Sequence, residues 1–265
     1  MHPMLNIAVR AARAAGTFVA KSFEQPEKIE AQVKGTNDWV TNIDKEAERL
    51  IIDTIKKSYP DHAFVGEEGG AQGESDYQWV IDPLDGTTNF LRGIPHFCVS
   101  IALRVKGKTE QAVVFDPIRG EIFTASRGMG AQLNGKRLRV SAVKELNGTI
   151  LATGLPFKQR QHYNSYMALF TAIFEKAADV RRSGSAALDL SYLAAGRIDG
   201  FFELGLKPWD IAAGELIARE AGAIVTDFSG GHDYFKSGNI VAAPARMLPA
   251  LLGTIKPLLT DAIAK

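Results

Sequence analysis

The chain has 265 residues, of which 46% are hydrophobic and 23% charged, an ordinary globular balance that excludes a disordered chain, a collagen or a coiled-coil rod. Thirty-one Lys and Arg against thirty Asp and Glu leave a formal charge of +1, which gives no electrostatic basis for strong direct nucleic-acid binding. One cysteine, Cys98, excludes an internal disulfide framework and a Cys-rich zinc site, and the longest stretch without a charged residue, Gln161 to Phe174, is 14 residues, short of the about 20 a membrane span needs.

In chain order, Leu5 to Phe23 reads as an amphipathic helix; Arg10, Arg13 and Lys21 interrupt its apolar pattern, which argues against a signal peptide and makes the cytoplasm the expected compartment. A second helix spans about Thr41 to Tyr59, with Ala47, Leu50, Ile51, Thr54 and Ile55 on one face and Pro60 beyond its end. The Gly-rich, acidic stretch Gly66 to Asp76 reads as a loop. Tyr77 to Asp82 is a short strand, and Pro83 is expected to turn the chain there. Phe97 to Val105 and Gln111 to Asp116 flank the hairpin signal Lys106-Gly107-Lys108, and Glu121 to Ser126 follows a further turn. The rest alternates: a strand at Thr149 to Thr153, helices at His162 to Ala178 and Ser185 to Ala195, a strand at Ile198 to Leu204, and a helix at Trp209 to Ala221. Strands at Ala223 to Asp227 and Asn239 to Ala242 and a helix at Met247 to Ala264 close the series. A meander followed by alternation predicts two sheets with helices between and around them, in one domain with two intimate halves, about 1–145 and 146–265.

The chemistry concentrates in Asp82-Pro83-Leu84-Asp85-Gly86-Thr87-Thr88-Asn89-Phe90. Two carboxylates this close repel unless a cation lies between them, and hard oxygen donors suit Mg²⁺. Gly86 permits a left-handed or closely approached backbone, and the Gly86 and Thr87 amides at a helix start would attract a phosphate. Taken singly, Asp85-Gly86 is also a β-turn pair and Asp82 a strand cap. Glu67 and Glu68 in the Gly-rich loop are otherwise a solvated pair, Asp44 a residue suited to a helix start, and Asp210 an N-cap. Asp44 also sits three and seven residues before the apolar Ala47 and Ile51, so it could face the core. Cys98, in an apolar strand, reads as core rather than nucleophile, and His96 and His232 as loop residues without metal-ligand spacing.

The string from Asp82 to Phe90 resembles the inositol monophosphatase signature, as does Trp209-Asp210-Ile211-Ala212-Ala213-Gly214. The blocks Asp38 to Asp44, Gly66-Glu67-Glu68 and Gly184-Ser185-Ala186 match in the same order, so the resemblance covers the whole chain and is nearest the bacterial branch. It implies a layered αβαβα sandwich and Mg²⁺-dependent hydrolysis of a phosphate monoester by a metal-activated water, with no covalent intermediate. On this resemblance, Glu67, Asp82 and the carbonyl of Leu84 hold a first ion, Asp82, Asp85 and Asp210 a second, and Glu67 helps hold a weaker third. Glu67 and Thr87 orient water, with Asp44 behind Thr87. Gly86 and Thr87 bind phosphate; Asp85, Gly184, Ser185, Ala186 and Glu203 meet the polyol; Lys34 lies near the phosphate, and Glu68 is a less direct partner.

Lys207 and Pro208 depart from the animal members, and Ser185 stands for a frequent Thr. The family also implies sensitivity to Li⁺ and a homodimer. Inositol 1-phosphate is the favoured substrate, over fructose 1,6-bisphosphate, nucleotide 3′-phosphates and NADP; glycerol 2-phosphate is a further candidate. A haloacid dehalogenase-type reading is disfavoured because two residues, not one, separate Asp82 from Asp85. Some bacterial members act in ribosomal RNA transcription antitermination with Nus factors and RNA polymerase. Arg181-Arg182 and Lys136, Arg137 and Arg139 are candidate contacts for that alternative or added role.

Overall fold

The alternation along strand Cys98–Val105 fixes the layer order. Val99, Ile101 and Leu103 point to one side of the sheet and Cys98 and Ala102 to the other, and all are buried, so both faces must be covered. The computed structural model describes residues 2–35, 38–156, 159–260 and 263. It begins with α1 (Pro3–Phe23), then a ribbon of β1 (Ala31–Gly35) and β2 (Asp38–Thr41), and α2 (Asn42–Lys56). Strands β3 (Ala63–Gly66), β4 (Gly70–Gln72) and β5 (Tyr77–Asp85) lead to the single-turn α3 (Thr87–Leu91). A meander follows: β6 (Cys98–Val105), β7 (Lys108–Asp116), β8 (Glu121–Ser126), β9 (Gly130–Leu133) and β10 (Lys136–Arg137). The remainder comprises β11 (Ile150–Thr153), α4 (Tyr163–Phe174), β12 (Asp179–Arg181), α5 (Ala186–Ala194), β13 (Gly200–Glu203) and α6 (Pro208–Glu220). It closes with β14 (Ala223–Thr226), α7 (Tyr234–Ser237), β15 (Ile240–Pro244) and α8 (Leu248–Ile255).

An eight-stranded sheet has the order β10-β9-β8-β7-β6-β5-β3-β4, antiparallel except where β3 runs parallel to β5. A five-stranded sheet has the order β12-β11-β13-β15-β14, with β11 parallel to both neighbours. Helices α1 and α2 cover the outer face of the large sheet through Ala8, Ala15, Ile51 and Ile55. Helices α5 and α6 lie between the sheets, presenting Ala187, Ala213 and Leu216 to one and Leu190, Leu193 and Ile211 to the other. Helices α4 and α8 cover the far face of the small sheet through Leu169, Ile173 and Leu251. The layers therefore read αβαβα, as the sequence resemblance implies.

Local chemistry accounts for most element ends. Thr41 and Asp44 form a capping box at α2, the Thr41 hydroxyl accepting the Ile43 and Asp44 amides while the Asp44 carboxylate accepts the Thr41 amide. Lys106 and Gly107, with φ of 49° and 78°, make the tight β6–β7 turn that the hairpin signal anticipates. Three expectations need correction. Strand β5 does not end at Asp82: it passes through Pro83 to Asp85, with a register irregularity against β6 between Asp82 and Asp85. The stretch Gly66 to Asp76 is not all loop, because β4 pairs with β3 inside it. The last helix stops at Ile255, since Pro257 has no amide to continue the ladder; the rest of the expected span is a short 3₁₀ turn, and Asp261, Ala262 and Ala264 lie outside the described residues. Short strands β1, β2, β3, β9, β10 and β12 had no sequence signal of their own.

The middle layer packs at close range. A Cβ placed on Gly214 of α6 would lie 2.7 Å from Leu190 Cβ of α5. Gly214→Val should therefore lower stability by about 1–3 kcal/mol through overpacking, measured as a shift in urea midpoint at constant slope.

Candidate active site

The parallel pairing of β3 with β5 brings two acidic segments together at the C-terminal ends of these strands. Glu67, the residue after β3, donates its amide to Ile81 O at 3.1 Å and so lies beside Asp82. Past the irregularity in β5, Gly86 adopts φ +103°, a left-handed conformation, and starts α3. A Cβ there would meet His96 O at 3.0 Å and Phe97 Cβ at 3.1 Å, so both conformation and space call for glycine. The middle-layer helices bring their N-termini to the same strand ends, with Ser185 and Ala186 from α5 and Asp210 from the first turn of α6. The end of β13 adds Glu203. One cavity is lined by Glu67, Asp82, Leu84, Asp85, Gly86, Thr87, Gly184, Ser185, Ala186, Glu203 and Asp210. Five segments of the chain thus supply residues chosen from the sequence.

Asp44 stands behind this wall. Its Oδ1 lies 3.0 Å from Thr87 Oγ1, which is also 3.1 Å from Leu84 O. It is buried, as its spacing from Ala47 and Ile51 allowed. Glu68 is not on the cavity wall; its amide donates to Glu48 at 3.0 Å, and its charge bears on Asp44. Lys34 lies in β1, and its side chain, like that of Asp38, is outside the described residues. Asp210 is not an N-cap: α6 begins at Pro208, and Asp210 Oδ2 accepts the Lys207 amide at 2.6 Å from within the first turn.

Burial dominates the electrostatics. It pushes Asp82 well above the usual carboxylate range, and the charges of Glu67, Asp85 and Asp210 add to the shift. Burial raises Asp85 to about 6 against the lowering effect of hydrogen bonds from Ser185 Oγ and the Ala187 amide, at 2.7 and 2.8 Å. Burial likewise raises Asp44 to about 6, opposed by its bonds from Thr41. Glu203 is pushed up by burial, with the Arg182 charge opposing.

The donor set is all oxygen, which fits a hard divalent cation rather than zinc or iron. Asp82 Oδ1 accepts the Leu84 amide, and both protein donors to Asp85 use Oδ2, so one carboxylate oxygen of each has no hydrogen-bond partner among the described residues. These residues fit a divalent cation on that ground. Among the described residues, no group of three or more His, Cys, Asp or Glu side chains is arranged so that it could hold a metal ion on its own.

Sequence reasoning missed several residues here. Arg182, read as a partner contact, lines the cavity, whereas Arg181 pairs with Asp179. Asp189, one turn after Ser185 in α5, is buried on the same wall. Glu48 is buried and accepts the Glu68 and Gly69 amides, and a Cβ on Gly66 would come within 2.2 Å of its carboxylate. The glycines around Glu67 and Glu68 are the only sequence trace of that contact. Cys98 is core as expected, its thiol pushed up by burial.

Fold and donor set together define a phosphatase of the layered αβαβα type. The chain belongs to the inositol monophosphatase family, whose model matches residues 1–259. It is 61% identical to "Nus factor SuhB" of Escherichia coli K12, over the whole of both chains. Among solved structures, it is similar to the extragenic suppressor protein suhB of Bartonella henselae, with a TM-score of 0.93, 41% identity, and coverage of 96% of this chain and 99% of that one. An inositol monophosphatase from Anabaena gives a TM-score of 0.86 at 34% identity, with 97% of each chain covered. No helix among the described residues is long and apolar enough to cross a membrane.

A carboxyl group that holds its proton more tightly when folded makes the native state bind more protons than the unfolded one. Its contribution to stability therefore falls as pH rises from the unfolded value through the folded one. For Asp85 this window runs from about pH 4 to about 6. In chelator, wild type should lose stability across that window relative to Asp85→Asn, as read by thermal melts at several pH values.

Proposed function

We propose that this protein is a Mg²⁺-dependent phosphate monoester hydrolase acting on inositol 1-phosphate and related polyol monophosphates by direct attack of water. The observation that carries the reading is the convergence of Glu67, Asp82, Asp85 and Asp210 on one cavity with Thr87 and Gly86. Glu67, Asp82, Asp85, Asp210 and the Leu84 carbonyl would hold two or three Mg²⁺ ions. When bound, the ions lower the pKa of water and neutralise charge on the phosphoryl oxygens.

The chain's own residues do the rest. The Thr87 hydroxyl donates its hydrogen bond to Asp44, which leaves an oxygen lone pair to accept a hydrogen bond from the attacking water and orient it with Glu67. The Gly86 and Thr87 amides hold phosphate oxygens, and the family resemblance adds Lys34 to them. Glu68 acts less directly, through its charge on Asp44. Gly184, Ser185, Ala186, Asp85 and Glu203 read polyol hydroxyls, and Lys207 stands on the rim of the cavity.

Purified protein should hydrolyse inositol 1-phosphate with Mg²⁺ and stop with chelator. Asp85→Asn should fold and lose at least about 100-fold in kcat/KM. Comparing inositol 1-phosphate, fructose 1,6-bisphosphate, adenosine 3′,5′-bisphosphate and glycerol 2-phosphate at fixed Mg²⁺ sets the substrate class. Full turnover by Asp85→Asn would sink the cation assignment.

A second reading, as an added function, is supported by the relatives of about 60% identity that carry the name Nus factor. On that reading the chain associates with Nus factors or RNA polymerase through exposed Lys136, Arg137 and Arg139 on the sheet-edge strand β10 and just beyond it. Charge reversal at these three positions should abolish co-purification with those factors, while Asp85→Asn should retain it. The opposite pattern would remove the reading.

A further inference from the structure

Asn89, one turn after Asp85, has no assigned part in the chemistry above. Its side-chain Nδ2 donates to His96 O at 2.8 Å and to Ser183 O at 2.9 Å. An amide –NH₂ has two hydrogens, so these acceptors use both. The first acceptor belongs to the segment leading into β6. The second belongs to the segment leading into α5, 94 residues away in sequence.

Both acceptors touch the proposed site. His96 O is the atom that a Cβ on Gly86 would meet at 3.0 Å, so it is wedged between Gly86 and Asn89. Ser183 precedes Gly184, which adopts φ +93° and would, with a Cβ, meet Asn89 Nδ2 at 3.0 Å. On the other side of Gly184, Ser185 Oγ donates to Asp85 Oδ2 at 2.7 Å. The segment Ser183-Gly184-Ser185 is therefore held from both ends by side chains four residues apart, Asn89 and Asp85. One hold is a neutral donor and the other a carboxylate.

We infer that Asn89 is a positioning residue that sets the distance between the Asp85–Thr87 wall of the cavity and the Gly184–Ala186 wall, and so tunes selectivity for the alcohol half of the substrate. The inference rests on the phosphatase reading above. Removing the donor takes one hold off the Ser183–Gly184 backbone, while the Ser183 side chain's bond to Asp189, the Ser185–Asp85 bond and the acidic segment on β5 remain. A leaving group rich in hydroxyls needs both walls in register; an aryl leaving group without them does not.

The test compares glycerol 2-phosphate with p-nitrophenyl phosphate at fixed Mg²⁺ for wild type, Asn89→Ala and Asn89→Asp. Aspartate has the same size but cannot donate and sets charge against two carbonyls. In either variant, KM for glycerol 2-phosphate should rise about tenfold, while kcat/KM for p-nitrophenyl phosphate stays within about twofold of wild type. A thermal melt confirms that the variant assayed is folded. An unchanged ratio of kcat/KM between the two esters, whether both fall or neither does, would overturn the positioning role. Wild type inactive on both esters would instead remove the phosphatase reading on which it stands.

Discussion

The burial of several carboxylates around one cavity is the constraint around which the structure is organised. An ionised carboxylate taken out of water is unfavourable unless hydrogen bonds or opposite charge compensate. Asp44, Asp82 and Asp189 are all nearly inaccessible. Four of these carboxylates have fixed donors: Thr41 on Asp44, the Leu84 amide on Asp82, Ser185 and Ala187 on Asp85, the Lys207 amide on Asp210. All of these donors are backbone amides or hydroxyls, which orient a carboxylate without cancelling its charge. The Arg182 charge offsets part of the excess at Glu203, Asp189 and Asp85. The remainder is a fixed negative field with hard oxygen donors, the environment that selects a small divalent cation over other partners.

The parts of this site that were legible in the sequence are those whose geometry is local. Asp82 to Phe90 contains a strand end, a left-handed glycine and a helix start within nine residues, so spacing alone implies carboxylates beside amides. The Asp44 reading is also local, since helical spacing from Ala47 and Ile51 directs it inward. Glu203 is different. Nothing in Gly200–Glu203 marks that glutamate as a site residue until a neighbouring sheet is present, and only the family resemblance supplied it. Asn89 and Glu48 act on partners far away in sequence, or on main-chain atoms that carry no residue identity, so no motif announces them. Arg182 was misread for the same reason: adjacent to Arg181, it looks like half of a basic pair, yet the backbone sends one arginine to Asp179 and the other to the cavity.

The layers themselves were more legible than their edges. Long periodic segments such as α1, α2, β6 and β8 announce themselves because each buries a full face. Two- to four-residue strands such as β4, β10 and β12 exist because a neighbour offers unpaired backbone groups, and their own side chains are largely exposed or half-buried. The strand that mattered most, β5, was misjudged at Pro83. A proline cannot donate to the ladder, but a register irregularity accommodates it, and by that route Asp82, Leu84 and Asp85 reach one cavity.

Helix α6 joins these observations, because it must deliver Asp210 to a cavity whose other carboxylates Asp82 and Asp85 lie on strand β5. Its far end is tied down by a buried polar network. Arg219 Nε donates to Glu215 Oε1 at 2.6 Å, its Nη2 to Val225 O at 2.7 Å, and the Tyr234 hydroxyl donates to the same Glu215 oxygen at 2.7 Å. Arg104 of β6 reaches the same region, its guanidinium 4.5 Å from the Phe235 ring and within the influence of the Glu215 charge. The helix is thus held to β14 and α7 on one side and to the large sheet on the other, while the close Gly214–Leu190 approach fixes it against α5. A helix clamped at its C-terminal end and packed on both faces has little freedom to slide. A carboxylate in its first turn therefore keeps its place relative to β5 without any direct bond between Asp210 and Asp82, two groups whose charges repel. Rigidity in the middle layer is what allows like charges to be held together on the cavity wall.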